Sequence, residues 1–147
     1  TTGQRFPKLK ATDIYGNKIS TKDFRGKIVV INYWFIKCAP CRKEIPLLNK
    51  IVNKFNGNNN VVFIAICLDN AMSISEFIKS TPFNYVQIDD GKYYADKNNI
   101  NSFPTNVVLD QNGKVYFHSS GFSAYTPLWI KKSIEELLNK VPVTATY

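Results

Sequence analysis

Residues 38 to 41 read Cys-Ala-Pro-Cys, and three kinds of chemistry use two thiols at that spacing. The pair can supply metal ligands, close a small structural bridge, or cycle between dithiol and disulfide. Structural zinc wants four ligands, usually two such pairs or one pair with two histidines. Here only Cys67 and the single His118 could complete the set, and they lie in separate segments far along the chain. A bridge over so short a loop restricts the unfolded chain little, so it stabilises less than one closing a long loop. Reversible redox chemistry asks only that the two sulfurs be near each other and that one form a thiolate readily. With three cysteines at most one intramolecular pair can form, and the spacing nominates Cys38 and Cys41, leaving Cys67 over.

The elements around the pair decide whether a thiolate can form. Lys27 to Phe35 (KIVVINYWF) is β-branched and aromatic, the pattern of a strand buried on both faces. From Ala39 to Phe55 the period changes, with Ile45, Leu48, Ile51, Val52 and Phe55 at intervals of three and four, an amphipathic helix. Cys38 thus stands between a strand and a helix N-terminus, where unpaired N–H groups and the positive end of the helix dipole favour a thiolate. Cys41, one turn on, faces the same side and can attack a mixed disulfide held on Cys38. Pro40 has no N–H to lose in that first turn and stiffens it.

Further elements follow from the same cues. LKATDIYGNKIS reads as a hairpin around Tyr-Gly-Asn, Val61 to Leu68 as a second buried strand, and Ser73 to Ser80 as a short helix capped by Ser73 with Glu76. Tyr85 to Ile88 is a short strand and Lys92 to Asn98 a short helix. Strands Thr105 to Leu109 and Lys114 to His118 flank Asp110-Gln111-Asn112-Gly113, and Thr126 to Lys140 is the closing helix. The order predicts an α/β fold with a mixed sheet.

Composition bounds the rest. At 147 residues, 44% hydrophobic and 20% charged, the chain has the size and balance of one globular domain. Its longest apolar run, Ile28 to Ile36, is interrupted by Asn32 and falls far short of the ~20 residues of a membrane span. The net charge of +8 is spread along the chain, without the basic run and interleaved aromatics of a nucleic-acid groove. No signal peptide is visible, and a start at Thr1 is what a mature or truncated form would have.

WFIKCAPCRKEIP, residues 34 to 46, resembles the active-site segment of thioredoxin-fold proteins, and among them of the TlpA/ResA-like envelope thiol–disulfide oxidoreductases. Trp34, the CAPC motif, Arg42 and Pro46 carry the likeness, Pro46 as the helix-kinking proline. SFPTNVVLDQNGKV resembles the family's cis-proline strand and following hairpin. The resemblance runs from about Phe6 to Leu138 and implies a single thioredoxin-like domain over residues 1–147. That domain has a mixed central sheet flanked by helices, an N-terminal β-hairpin and a central insertion near residues 70 to 100. Pro104 is then a cis-proline facing the disulfide, and the backbone of Phe103 pairs with an extended substrate segment. Trp34 reads either as an aromatic shaping access to the disulfide or as a core residue.

The implied activity is thiol–disulfide exchange through the Cys38–Cys41 redox pair, with no metal and no other cofactor. The expected direction is reduction of protein disulfides in the bacterial periplasm or at the extracytoplasmic face of the membrane. A membrane thiol carrier is the expected electron donor, the protein a monomer, and any anchor a segment outside this sequence. Two alternatives stand beside this. A peroxiredoxin-like peroxidase wants a hydroxyl three residues before its cysteine, where this chain has Phe35. The other is a thioredoxin-fold carrier of a metal or of a client thiol; copper carriage would use Cys38, Cys41 and His118, though copper carriers of this fold usually space their cysteines wider.

Three departures from the family mark this chain. Asn32 stands where thioredoxin has a buried acid, and an amide cannot shuttle a proton at neutral pH. Ala39 fills the place of a glutamate found between the cysteines of some members. Lys37 replaces the usual tryptophan, and is read either as an aid to the Cys38 thiolate or as a surface charge. No carboxylate is obvious as acid–base partner of Cys41: Glu44 is expected to be a solvated charge on the helix face. Cys67 is expected to be an inert core thiol, His118 a surface residue at a strand end. Tyr93 and Tyr94 with Phe103 either border the site or cover the sheet.

Overall fold

A computed structural model describes residues 1–140; the last seven residues of the expected domain lie outside the described residues. Strands β1 (Lys10–Thr12) and β2 (Lys18–Ser20) form an antiparallel hairpin. The Asp13 carboxylate organises its turn, accepting the N–H groups of Tyr15 at 2.9 Å and Asn17 at 2.8 Å. Gly16 supplies the positive φ of 87° that the turn needs. A single 3-10 turn, Thr21–Phe24, leads to β3 (Ile28–Trp34).

Helix α1 (Ala39–Lys54), β4 (Val61–Cys67), α2 (Ala71–Ser80), β5 (Val86–Ile88) and α3 (Lys92–Lys97) follow in order. The chain then forms β6 (Thr105–Leu109), β7 (Val115–Ser120) and α4 (Thr126–Leu138). Five strands make one sheet in the order β5-β4-β3-β6-β7. β3 runs parallel to β4, and β4 to β5, whereas β6 is antiparallel to both β3 and β7. This is the mixed sheet the sequence predicts, and residues 71–97 supply the elements of the expected central insertion.

Every residue of β3 is buried, as its uninterrupted apolar character requires of a central strand covered on both faces. Alternation along the strand then fixes the two cores. Ile28, Val30 and Trp34 join Ile45, Leu48 and Ile51 of α1 and Ile130, Ile134 and Leu137 of α4. Val29, Ile31 and Tyr33 join the opposite core with Leu9, Ile88 and Val107. Asn32, between Val30 and Trp34 in the even series, therefore points toward the α1 side.

Two local expectations are corrected. α2 begins at Ala71 and is capped by Asn70, whose side chain accepts the Ser73 N–H at 2.8 Å, so Ser73 lies in the first turn rather than at the cap. Asn70 is as good a cap as serine, and the expected helix began too late. His118 is exposed but lies inside β7, which pairs with β6 as far as Ser120. Gly91, capping α3, is a close-approach glycine: a Cβ there would stand 2.8 Å from the Cys67 carbonyl oxygen.

Candidate active site

β3 ends at Trp34 and α1 begins at Ala39, and the loop between them is held from two sides. The Ile36 N–H donates to Asp69 Oδ2 at 2.8 Å, and the Ile36 carbonyl accepts from Arg42 Nη1 at 2.7 Å. Cys38 N–H donates to the Phe35 carbonyl at 3.1 Å. These bonds settle the backbone directly before the first cysteine. Neither Asp69 nor the role of Arg42 as a loop clamp is legible from local motifs, because Asp69 lies after a different strand.

Cys38 is the N-cap residue of α1, in extended conformation, and its Sγ accepts the Cys41 N–H at 3.2 Å. One of the unpaired donors of the first helical turn is thereby aimed at the sulfur, a setting that stabilises negative charge there. Ala39 and Pro40 occupy the first two helical positions and are exposed. The sulfurs of Cys38 and Cys41 are joined in a disulfide at 2.15 Å. Cys38 is 5% exposed and Cys41 2%. Lys37 is exposed and forms no ion pair among the described residues.

Beneath the pair, the expectation for Glu44 is overturned. Glu44 is fully buried, not a solvated charge. Its Oε1 accepts Nδ2 of Asn32 at 3.1 Å and Nδ2 of Asn106 at 3.0 Å, and Asn32 Nδ2 also donates to Asn106 Oδ1 at 2.9 Å. Sheet register makes this possible: Asn32 of β3 and Asn106 of β6 are direct cross-strand partners with side chains on the same face. Glu44 Oε2 is buried without a hydrogen-bond partner among the described residues. Burial raises the carboxyl pKa above its ordinary value, and the bonds from Asn106 and Asn32 oppose that rise. Glu44 follows Cys41 by three residues, and helix neighbours at that spacing lie roughly 5–6 Å apart at Cβ.

Aromatic side chains frame the loop. Phe35 meets Phe103 edge-to-face at 5.5 Å between centroids, and the Phe103–Pro104 peptide is cis. Pro104 is buried directly before β6, its carbonyl accepting the Gly121 N–H at 2.7 Å. Trp34 is fully buried, packed on Phe77 and Phe83 with its indole N–H on Gln87 Oε1 at 3.1 Å. It belongs to the core cluster that includes Cys38 and Cys41, and it presents no surface at the disulfide. Tyr94 lies across the opposite core, its hydroxyl on the Lys10 carbonyl at 3.1 Å.

Cys67 is buried and free, its thiol donating to Asp69 Oδ2 at 3.4 Å. Burial, above all, pushes its pKa far up, so it holds its proton. Among the described residues no three His, Cys, Asp or Glu side chains come together as a metal site. Nor is any helix among them long and apolar enough to cross a membrane.

Comparison with known proteins identifies the family. The family model described as AhpC/TSA family matches residues 2–118. The thiol-disulfide oxidoreductase ResA of Bacillus thuringiensis subsp. konkukian is 32% identical over 95% of this chain and 78% of its own length. The thioredoxin domain of a thiol-disulfide oxidoreductase from Bacteroides vulgatus superposes with a TM-score of 0.79 at 26% identity, over 91% of this chain and 98% of that one. A thioredoxin-family thiol:disulfide interchange protein from Chlorobium tepidum shares the fold with a TM-score of 0.75 at 19% identity, over 95% and 99%. A strand-to-helix disulfide on this sheet, the family match and the ResA relatives agree: the chain belongs to the AhpC/TSA thioredoxin-fold family and is a ResA-like thiol–disulfide oxidoreductase.

Proposed function

We propose that this oxidoreductase reduces disulfides of client proteins in the bacterial cell envelope, with Cys38 as attacking thiol and Cys41 as resolving thiol. The observation that carries the assignment of roles is Cys38 at the N-cap of α1, its Sγ accepting a backbone N–H, with Cys41 a turn deeper beside buried Glu44. In the reduced enzyme the Cys38 thiolate attacks one client sulfur. A Cys38–client bond forms, the client S–S bond breaks, and the other client sulfur leaves as a thiolate. Cys41 then loses its proton and attacks Cys38 Sγ, forming the Cys38–Cys41 disulfide and releasing the second client thiol. Two electrons pass from the enzyme pair to the client. A membrane thiol carrier would return them, and the chain would act as a monomer.

Glu44 supplies the base that Asn32 and Ala39 do not. A carboxyl raised toward neutrality by burial takes a proton at working pH more readily than an ordinary glutamate, and its Oε2 has no competing partner among the described residues. Asn32 and Asn106 orient it through Oε1. The resemblance of residues 34–46 to the active-site segment of the TlpA/ResA-like envelope oxidoreductases supports the envelope setting. A peroxidase reading has less support, because Phe35, packed on Phe103, stands where a hydroxyl would be needed.

Trapping tests the order of attack. Cys41→Ser is expected to accumulate mixed disulfides on Cys38, and Cys38→Ser to accumulate none; equal trapping by both variants would reverse the assignment. Equilibration with glutathione tests direction. A potential near thioredoxin's roughly −270 mV supports a reductase, and one near about −120 mV an oxidase.

A further inference from the structure

Beside the redox pair lies a hollow that thiol exchange does not use. It has a volume of about 260 Å³ and is lined by Ala39, Pro40, Lys43 and Phe122. Ala39 and Pro40 are the two residues between the cysteines, so the hollow opens on the first turn of α1, next to Cys38. Phe122 arrives from the segment after β7, directly following Gly121, whose N–H is bonded to the Pro104 carbonyl at 2.7 Å. The same bond therefore fixes this wall and the cis-proline strand. Lys43 is exposed, with its Nζ 5.3 Å from the Phe122 ring centroid, a cation–π arrangement.

The charge around this hollow is one-sided. Residues 34–43 contain Lys37, Arg42 and Lys43 and no acid. The nearest carboxylates along the chain and across the loop are otherwise engaged: Glu44 is buried, and Asp69 holds Ile36 N–H and the Cys67 thiol. Arg42 is committed through one Nη to the Ile36 carbonyl, whereas Lys37 and Lys43 form no ion pair among the described residues. An apolar wall with a cation at its edge, formed in part by the two residues between the cysteines, suits an extended segment carrying one apolar side chain and one carboxylate.

We propose that Phe122 and Lys43 form a recognition subsite for the client residues flanking the attacked cysteine, selecting an aromatic or aliphatic side chain next to an Asp or Glu. This rests on the reading that Cys38 attacks client disulfides. Phe122 and the Pro40 ring remove the client's apolar side chain from water, and Lys43 meets its carboxylate. Both contacts form as the client sulfur approaches Cys38 and are in place in the transition state of attack, so modest contact energies become differences in rate among clients.

The test uses the reduced Cys41→Ser protein and synthetic peptides whose single cysteine is activated as a mixed disulfide with thionitrobenzoate. Attack of the Cys38 thiolate on the peptide sulfur forms the enzyme–peptide disulfide and expels the coloured aromatic thiolate. Four peptides place Phe or Gly, and Asp or Lys, beside the cysteine, and each protein's rates are taken as ratios to its own rate with the Gly–Lys peptide. The Phe–Asp peptide is expected to react about tenfold faster than the Gly–Lys peptide. Phe122→Ala is expected to erase the Phe/Gly ratio while keeping the Asp/Lys ratio. Lys43→Glu, a surface change that leaves the fold alone, is expected to invert the Asp/Lys preference, by about threefold. Ratios near one, or ratios unchanged in both variants, overturn the subsite while leaving disulfide reduction standing. No attack on any peptide overturns the function itself and the subsite with it.

Discussion

Two strand-to-helix turns leave the same edge of the sheet and are built alike. β3 runs through Cys38 into α1, and β4, its parallel neighbour, runs through Asn70 into α2. In each, the capping side chain accepts the N–H three residues on: Cys38 Sγ from Cys41 at 3.2 Å, Asn70 Oδ1 from Ser73 at 2.8 Å. The amide makes the better hydrogen bond and can do nothing else. Sulfur is a weaker acceptor, but the donor that caps the helix also stabilises a thiolate. On the proposed roles, the redox centre is an ordinary helix cap whose acceptor is a reactive sulfur, with the resolving thiol on the donor residue itself.

Exchange of the caps gives the largest expected effect. Cys38→Ser and Cys38→Asn keep an oxygen acceptor at the cap and are expected to hold the stability of the reduced protein within about 1 kcal/mol. Disulfide reductase activity should fall on the order of 10³-fold or more, since the attacking group is gone. Urea melts and an insulin-reduction assay on the same preparations separate the two outcomes. Residual turnover in Cys38→Ser close to that of the native enzyme would mean that the cap is not the nucleophile.

Next in size is the buried acid. Glu44→Gln keeps an oxygen to accept from Asn32 and Asn106 but cannot take a proton. It is expected to slow resolution of the mixed disulfide by on the order of 10² near neutral pH. Stability should move the other way. Because the folded-state pKa of Glu44 lies above the unfolded one, the folded protein holds the proton more tightly, and stability falls as pH rises from the ordinary glutamate range through the raised value. Glu44→Gln lacks that loss, so its Tm should match native at pH 4 and exceed it at pH 8. Matching melting curves at both pH values would show that Glu44 carries no such penalty.

Much of this site can be read from the sequence, and the failures have identifiable causes. The strand, the helix start and the cysteine pair are local patterns, and each is found within a residue or two of its expected place. Glu44 is legible too. It lies four residues before Leu48 and three after Cys41, on the buried stripe of α1, where position outweighs charge. Asn106 carries a fainter signal, a polar residue inside an apolar strand, and its link to Asn32 depends on a register between segments 74 residues apart. Asp69 and Phe122 carry none, because only the closed sheet brings their loops beside the first turn of α1.

The second turn supplies a smaller test. Asn70→Ala should destabilise the protein by about 1 kcal/mol, the usual cost of losing a side-chain cap, and leave the reduction potential of the Cys38–Cys41 pair unchanged. A shifted potential would show that the two turns communicate, and Asp69, one residue before this cap and bonded to Ile36, would be the connection.

Cys67 ends β4, one strand over from Trp34 in the register, and it sharpens the contrast between the two turns at the level of a single thiol. Its sulfur donates where Cys38 accepts, and its partner is a carboxylate, which disfavours a thiolate further. Burial is the largest cause of its raised pKa, so removing the charge alone should change little. In a Cys38→Ser/Cys41→Ser background, no thiol is expected to react with an aromatic disulfide reagent in the native protein, and one is expected after unfolding in urea. Adding Asp69→Asn, which keeps an acceptor for the Ile36 N–H, should leave the native thiol unreactive. Fast native labelling after that one change would assign the inertness of Cys67 to the carboxylate rather than to burial. The contrast between the cysteines would then be one of neighbouring charge and not of position at a strand end or a helix start.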